Sequence, residues 1–149
     1  MSDELLHAEA ELRSLANHYA DGINRADFGD VGRCWAPDGT WRVPAPFNIL
    51  RSGREEIVRR LADRRAEVDI VVMLVGTVVV TEASEDRIVG RTTIEEVGRL
   101  NAERGLHVFG LYDDELVKIN GQWHFQNRTL NLLAVDNSPT VYETSPSRL

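Results

Sequence analysis

The feature that most constrains the fold is a change of apolar period part-way along the chain. Leu5, Ala8, Leu12, Leu15, Ala16, Tyr19, Ala20 and Ile23 recur at steps of three and four. That spacing predicts one apolar stripe on a helix of about six turns, with Glu9, Arg13, Asn17 and Asp21 on the opposite face. From Val68 onward the helical period disappears. Residues 70–81 are rich in valine and carry no caps, which predicts a long, largely buried strand. Two more strands follow at 87–100 and 106–119. Asn120-Gly121 is a type I′ hairpin signal, and 122–135 forms the fourth strand.

Between the long helix and the sheet lie shorter elements. A second helix is predicted over 28–34, ended by the turn residues Ala36-Pro37-Asp38-Gly39. Residues 40–43 read as a short strand closed by Pro44 and Pro46, since proline donates no ladder hydrogen bond. Ser52-Gly53-Arg54-Glu55 matches a capping box, with Ser52 as the cap of a third helix whose apolar face is Ile57, Val58, Leu61 and Ala62. Helices first and a meander afterwards predict an α+β fold: three N-terminal helices packed on a curved, mainly antiparallel sheet that wraps them like a cone-shaped α+β barrel. Space left under such a cone is a pocket. Residues 1–135 form a single domain, and 136–149 read as a surface tail.

Composition excludes several functions. A net charge of −7 over 149 residues argues against nucleic acid, which needs a concentrated basic surface. The one basic cluster, Arg54, Arg59, Arg60, Arg64 and Arg65, alternates with Glu55, Glu56, Asp63 and Glu67 and reads as a solvated helix face. Cys34 is the only cysteine and reads as a buried structural thiol. No signal segment or membrane-length apolar run is visible, so the expectation is a cytoplasmic protein with no membrane partner. No His/Cys/Asp/Glu cluster has metal spacing and no glycine-rich phosphate loop opens a helix, so the enzymatic reading with support is cofactor-free and metal-free.

Three stretches carry a resemblance. Residues 19–28 (YADGINRADF) with 35–41 (WAPDGTW), then 53–57 (GREEI), and finally Tyr112-Asp113-Asp114-Glu115-Leu116-Val117 with residues 120–125 (NGQWHF) resemble the SnoaL-like branch of the nuclear transport factor 2-like superfamily. The resemblance runs from about residue 10 to 135 and implies the cone fold. Its functions span dehydratases, dehydrochlorinases, isomerases, cyclases, oxygenase small subunits and binding proteins, so fold alone names no reaction. The resemblance also implies that a homodimer forms across the sheet.

In scytalone-dehydratase-like and dehydrochlorinase-like members the resemblance implies an Asp/His base pair. The matching positions here are Asn24 and Met73, and neither can accept a proton at a relevant pH. Other positions match. Tyr19 is similar to a pocket tyrosine of bile-acid-dehydratase-like members, Arg128 to an arginine that steadies negative charge, and Asp114 to a catalytic aspartate of polyketide cyclases. Alternation in the third long strand puts Tyr112, Asp114, Leu116 and Lys118 on one face and His107, Phe109, Leu111, Asp113 and Glu115 on the other. The second set is more apolar in its first half and favours His107 and Phe109 for the pocket; the resemblance favours Asp114. Trp41, Met73 and Phe47 are apolar candidates for the wall. The resulting expectation is a small lyase, isomerase or cyclase acting by proton transfer on a hydrophobic ring-containing molecule. Asp114 would be the base, with Tyr19, Asn24 and Arg128 around the developing oxyanion. The rival readings are a non-catalytic ligand-binding domain and an accessory oxygenase subunit.

Overall fold

The computed structural model describes residues 2–143. Helix α1 spans Asp3–Arg25 and starts at Ser2, whose hydroxyl accepts the Leu5 N–H at 3.3 Å. It ends at Ala26, which takes the left-handed conformation with φ 54°. Helix α2 covers Phe28–Arg33 and α3 covers Arg54–Ala66. Six strands follow the order β1 Trp35–Val43, β2 Ile49–Ser52, β3 Ile70–Ala83, β4 Arg87–Asn101, β5 Arg104–Ile119 and β6 Gln122–Asp136. They form one sheet ordered β2-β1-β6-β5-β4-β3, in which only β1 and β6 run parallel.

This is the predicted α+β arrangement, with helices on a curved sheet. The edge strands β2 and β3 do not pair with each other, so the cone stays open rather than closing as a barrel. Asn120 and Gly121 adopt φ of 50° and 77°, the two positive values that a type I′ turn requires.

Sequence reading and structure differ at three places. The first strand begins at Trp35, five residues early, and absorbs the predicted 36–39 turn as an irregularity in its pairing with β6. Residues 49–52 form a short edge strand that the sequence reading omits. Ser52 pairs with Thr40 there, so it cannot cap α3; Gly53 does so at φ 90° with no side-chain cap bond. The predicted tail lies partly outside the described residues. Its described portion is tied to the start of β5, where Gly105 N–H donates to the Ser138 carbonyl at 3.0 Å and Asn137 Nδ2 donates to the Gly105 carbonyl at 3.0 Å.

The apolar stripe of α1 lies on the concave face, where Leu12, Ala16 and Tyr19 join Trp35, Ile88, Ile94, Tyr112, Leu116 and Phe125 in the core. Gly90 on β4 permits this close approach. A Cβ there would sit 2.6 Å from the Val79 carbonyl oxygen and 2.7 Å from Leu12 Cδ2.

Candidate functional site

Strand parity decides what faces inward. In β5 the buried set is Leu106, Val108, Gly110, Tyr112, Asp114 and Leu116. His107 and Phe109 therefore lie on the outer face, which corrects the expectation that they line the pocket. His107 Nε2 meets Glu95 Oε1 at 2.7 Å, and its ring packs 4.7 Å from that of Phe109, itself 41% exposed.

Residues on the inner face stand in rows, because paired strands place them side by side. One row runs Trp41, Arg128, Asp114 and Gly90 across β1, β6, β5 and β4. Within it Arg128 Nε donates to Asp114 Oδ1 at 2.7 Å and Nη2 donates to Oδ2 at 3.1 Å. Thr92 Oγ1 adds a third bond to Oδ2 at 2.8 Å. Side-chain exposure is 1% for Arg128 and 0% for Asp114. The guanidinium also lies 3.7 Å from the Tyr112 ring centre, 3.9 Å from Phe125 and 4.7 Å from Tyr19. Three aromatic faces thus replace its hydration. Burial by itself would lower the Arg128 pKa, but the Asp114 charge and hydrogen bonds together with the Tyr112 and Tyr19 phenols outweigh it, and the net direction is up.

Above this row lies a cavity of about 410 Å³, within the range of small-molecule sites. Tyr19, Trp41, Met73, Phe47 and Tyr112 are on its wall, with Ile23, Val71, Leu106, Val108 and Leu130. Asp114 and Arg128 are not on it. They lie behind the two tyrosines, and both Asp114 oxygens are taken.

Asn24 and Met73 do come together. Asn24 Nδ2 donates to the Met73 carbonyl at 3.0 Å, and Met73 N–H donates back to Asn24 Oδ1 at 2.7 Å. The pair clamps α1 to β3. Met73 presents only a thioether to the cavity, and the Asn24 amide is spent on backbone.

Three buried polar atoms of cavity-lining residues make no hydrogen bond among the described residues: Tyr19 Oη, Trp41 Nε1 and Arg65 Nε. Tyr19 and Trp41 are nearly inaccessible. An indole N–H is a donor only, and the polar group beside both Trp41 and Tyr19 is the Tyr112 phenol, on which the two act as hydrogen-bonding neighbours. Burial raises the pKa of Tyr19 and of Tyr112, so both phenols stay protonated donors near neutral pH.

The sequence reading missed Glu96. It stands opposite Met73 on β3 and Val108 on β5, is 5% exposed, and lies on the cavity wall. Arg64 Nη2 donates to Glu96 Oε2 at 2.9 Å; Oε1 has no hydrogen bond among the described residues. Its charge is felt at both phenols, where it adds to the upward shift. The signal was present in parity: Glu96 shares a face with Ile88, Gly90, Thr92, Ile94 and Gly98, all buried. Arg60, Arg64 and Arg65 also line the cavity, because positions 57, 60, 61, 64 and 65 share one face of α3.

Residues 4–129 match the SnoaL-like domain. The chain belongs to the SnoaL-like family. Comparison with curated proteins finds no match. Among solved structures, LinA superposes with a TM-score of 0.83 at 16% identity, over 98% of this chain and 100% of that one. The hexachlorocyclohexane dehydrochlorinase LinA-type3 from Novosphingobium barchaimii LL02 gives 0.81 at 17% identity, over 97% and 100%. Rv3472 from Mycobacterium tuberculosis, a protein of unknown function, gives 0.74 at 25% identity, over 87% and 74%. Such identities speak to a shared fold. The described helices include none long and apolar enough to cross a membrane.

Proposed function

We propose that this SnoaL-like domain binds a hydrophobic, ring-containing small molecule bearing an oxygen acceptor, and moves a proton beside that oxygen as a cofactor-independent lyase, isomerase or cyclase. The observation that carries the reading is the pair of buried donors that make no hydrogen bond among the described residues, Tyr19 Oη and Trp41 Nε1, both on residues that line the cavity. A carbonyl oxygen between them would gain two hydrogen bonds that strengthen as it becomes an enolate. Glu96 is the buried carboxylate on that wall, and its Oε1 is the proposed proton acceptor. Arg64 is the residue that orients it. The Asp114–Arg128 pair takes the role of a rigid support for Tyr19 and Tyr112 in place of the base role expected of Asp114. This route differs from one through residue 73, where Met73 cannot act.

The test is hydrogen exchange on 2-tetralone, a ring ketone with acidic protons beside its carbonyl, followed by NMR in D2O. Glu96 would take the carbon-bound proton, the electron pair would move to the carbonyl oxygen, and deuterium would return to carbon. Exchange above the buffer rate, lost in Glu96→Gln and reduced in Tyr19→Phe, is expected. Saturable binding with exchange at the buffer rate would favour the second reading, a binding domain without chemistry. That reading draws support from the absence of any histidine among the cavity residues.

The outer sheet face is the surface proposed for a second copy of the chain. Val72, Leu74, Phe109 and Leu133 are exposed there, an apolar patch that water does not favour. A dimer by light scattering that dissociates in Phe109→Glu is the expected result; a monomeric wild type would overturn it.

A further inference from the structure

Charge is distributed unevenly in this molecule, and the cavity rim departs from the whole. The chain carries −7, yet the residues around the cavity include four arginines, Arg60, Arg64, Arg65 and Arg104, against two carboxylates, Glu67 and Glu96. Arg64 and Glu96 neutralise each other. Among the cavity residues that leaves three guanidiniums and one carboxylate, Glu67, which is exposed and forms no ion pair among the described residues.

Those three are poorly occupied. Arg60 is half-buried and makes no hydrogen bond or ion pair among the described residues. Arg65 Nη1 reaches the Val68 carbonyl at 3.5 Å, while its Nε is buried with no partner. Arg104 Nη2 donates to Asn137 Oδ1 at 3.0 Å. By contrast Arg54, on the same helix but away from the cavity, donates to the Trp35 carbonyl through two nitrogens, Nε at 2.9 Å and Nη2 at 2.5 Å. A buried guanidinium nitrogen without an acceptor is costly, and a planar two-oxygen anion is the group that fits its fork.

We propose that the ligand of this cavity is a hydrophobic carboxylic acid: its carboxylate sits at the rim on Arg60 and Arg65, with Arg104 adding charge, and its ring body fills the apolar space toward Tyr19 and Trp41. The proposal rests on the cavity being the functional site and names the class of molecule it takes.

The test compares 2-naphthoic acid with its methyl ester by calorimetry, at low and high salt. The acid is expected to bind about tenfold tighter than the ester, as a charge-assisted pair implies, and to lose most of that margin in high salt. Arg60→Gln and Arg65→Gln should each weaken the acid severalfold and leave the ester unchanged; Arg60→Lys should recover part of the loss. Arg59→Gln, which removes an exposed partner of Glu56 on the same helix, is the control and should alter neither. Equal affinity for acid and ester, or an acid affinity indifferent to Arg60→Gln and Arg65→Gln, overturns the carboxylate. Tight ester binding in that case leaves the cavity reading standing. Failure of both probes to bind overturns the two together.

Discussion

Two ion pairs on the concave face of the same sheet are built to different specifications. Asp114–Arg128 has three hydrogen bonds to the carboxylate, aromatic rings around the guanidinium and essentially no exposure. Glu96–Arg64 has one bond, and the Arg64 side chain is 31% exposed. The first leaves nothing for a ligand to do. The second, with the idle donors of Tyr19, Trp41 and Arg65 around the same cavity, leaves several groups that a ligand would satisfy. Completeness of hydrogen bonding separates the support of this site from its working surface.

The contrast predicts a gradient of stability effects. Asp114→Ala should be the most damaging, about 3–5 kcal/mol in urea unfolding, because it strands a buried guanidinium. Replacing both partners, Asp114→Leu with Arg128→Met, should cost less than Asp114→Ala alone; a larger cost would break the account of that pair. Alkaline pH comes next. Burial raises Tyr19 and Tyr112, and it raises Cys34 from 9.0 to about 11. Above their unfolded values the unfolded chain binds fewer protons, so stability falls as pH rises. The loss is about 1.4 kcal/mol per group for each pH unit between the two values. Urea midpoints should be flat from pH 7 to 8 with respect to these groups and fall above 10; a flat midpoint at pH 10.5 would contradict their burial.

Asn24→Ala should cost about 1–3 kcal/mol, since it removes both bonds to the Met73 backbone. Glu96→Gln should cost at most about 1 kcal/mol, because its partner is partly solvated. A loss as large as that of Asp114→Ala would place Glu96 among the supports and remove it as a proton carrier.

Much of the fold was legible because period-3.6 and period-2 patterns are separated cleanly along the chain. The stripe ending at Ile23, the Asn120-Gly121 turn and the valine-rich strand each have a local cause. The edge strand Ile49–Ser52 had none: four residues, two half-buried and two exposed, between a proline-rich turn and a helix are too few to carry a pattern. The site was harder for a related reason. In β5 the inner set read from Tyr112 onward (Tyr112, Asp114, Leu116, Lys118) looks more polar than the outer His107, Phe109 and Leu111; Leu106 and Val108, which share its face, make it the apolar one. Glu96 was hidden beside Glu95, and only the parity it shares with Ile94 and Thr92 separates the two. The α3 arginines looked solvated because acids interrupt them in sequence; the helix turns some of them to the cavity and leaves Arg59 outside.

The central claim is that idle donors on the cavity wall exist for a ligand, and Tyr19→Phe tests it most directly when stability and binding are measured on the same sample. Removing a hydroxyl that makes no hydrogen bond among the described residues should leave the unliganded urea midpoint unchanged or slightly raised, while 2-tetralone affinity falls about tenfold. A clear loss of stability with unaltered affinity would show that the hydroxyl serves the fold, and would contradict the claim.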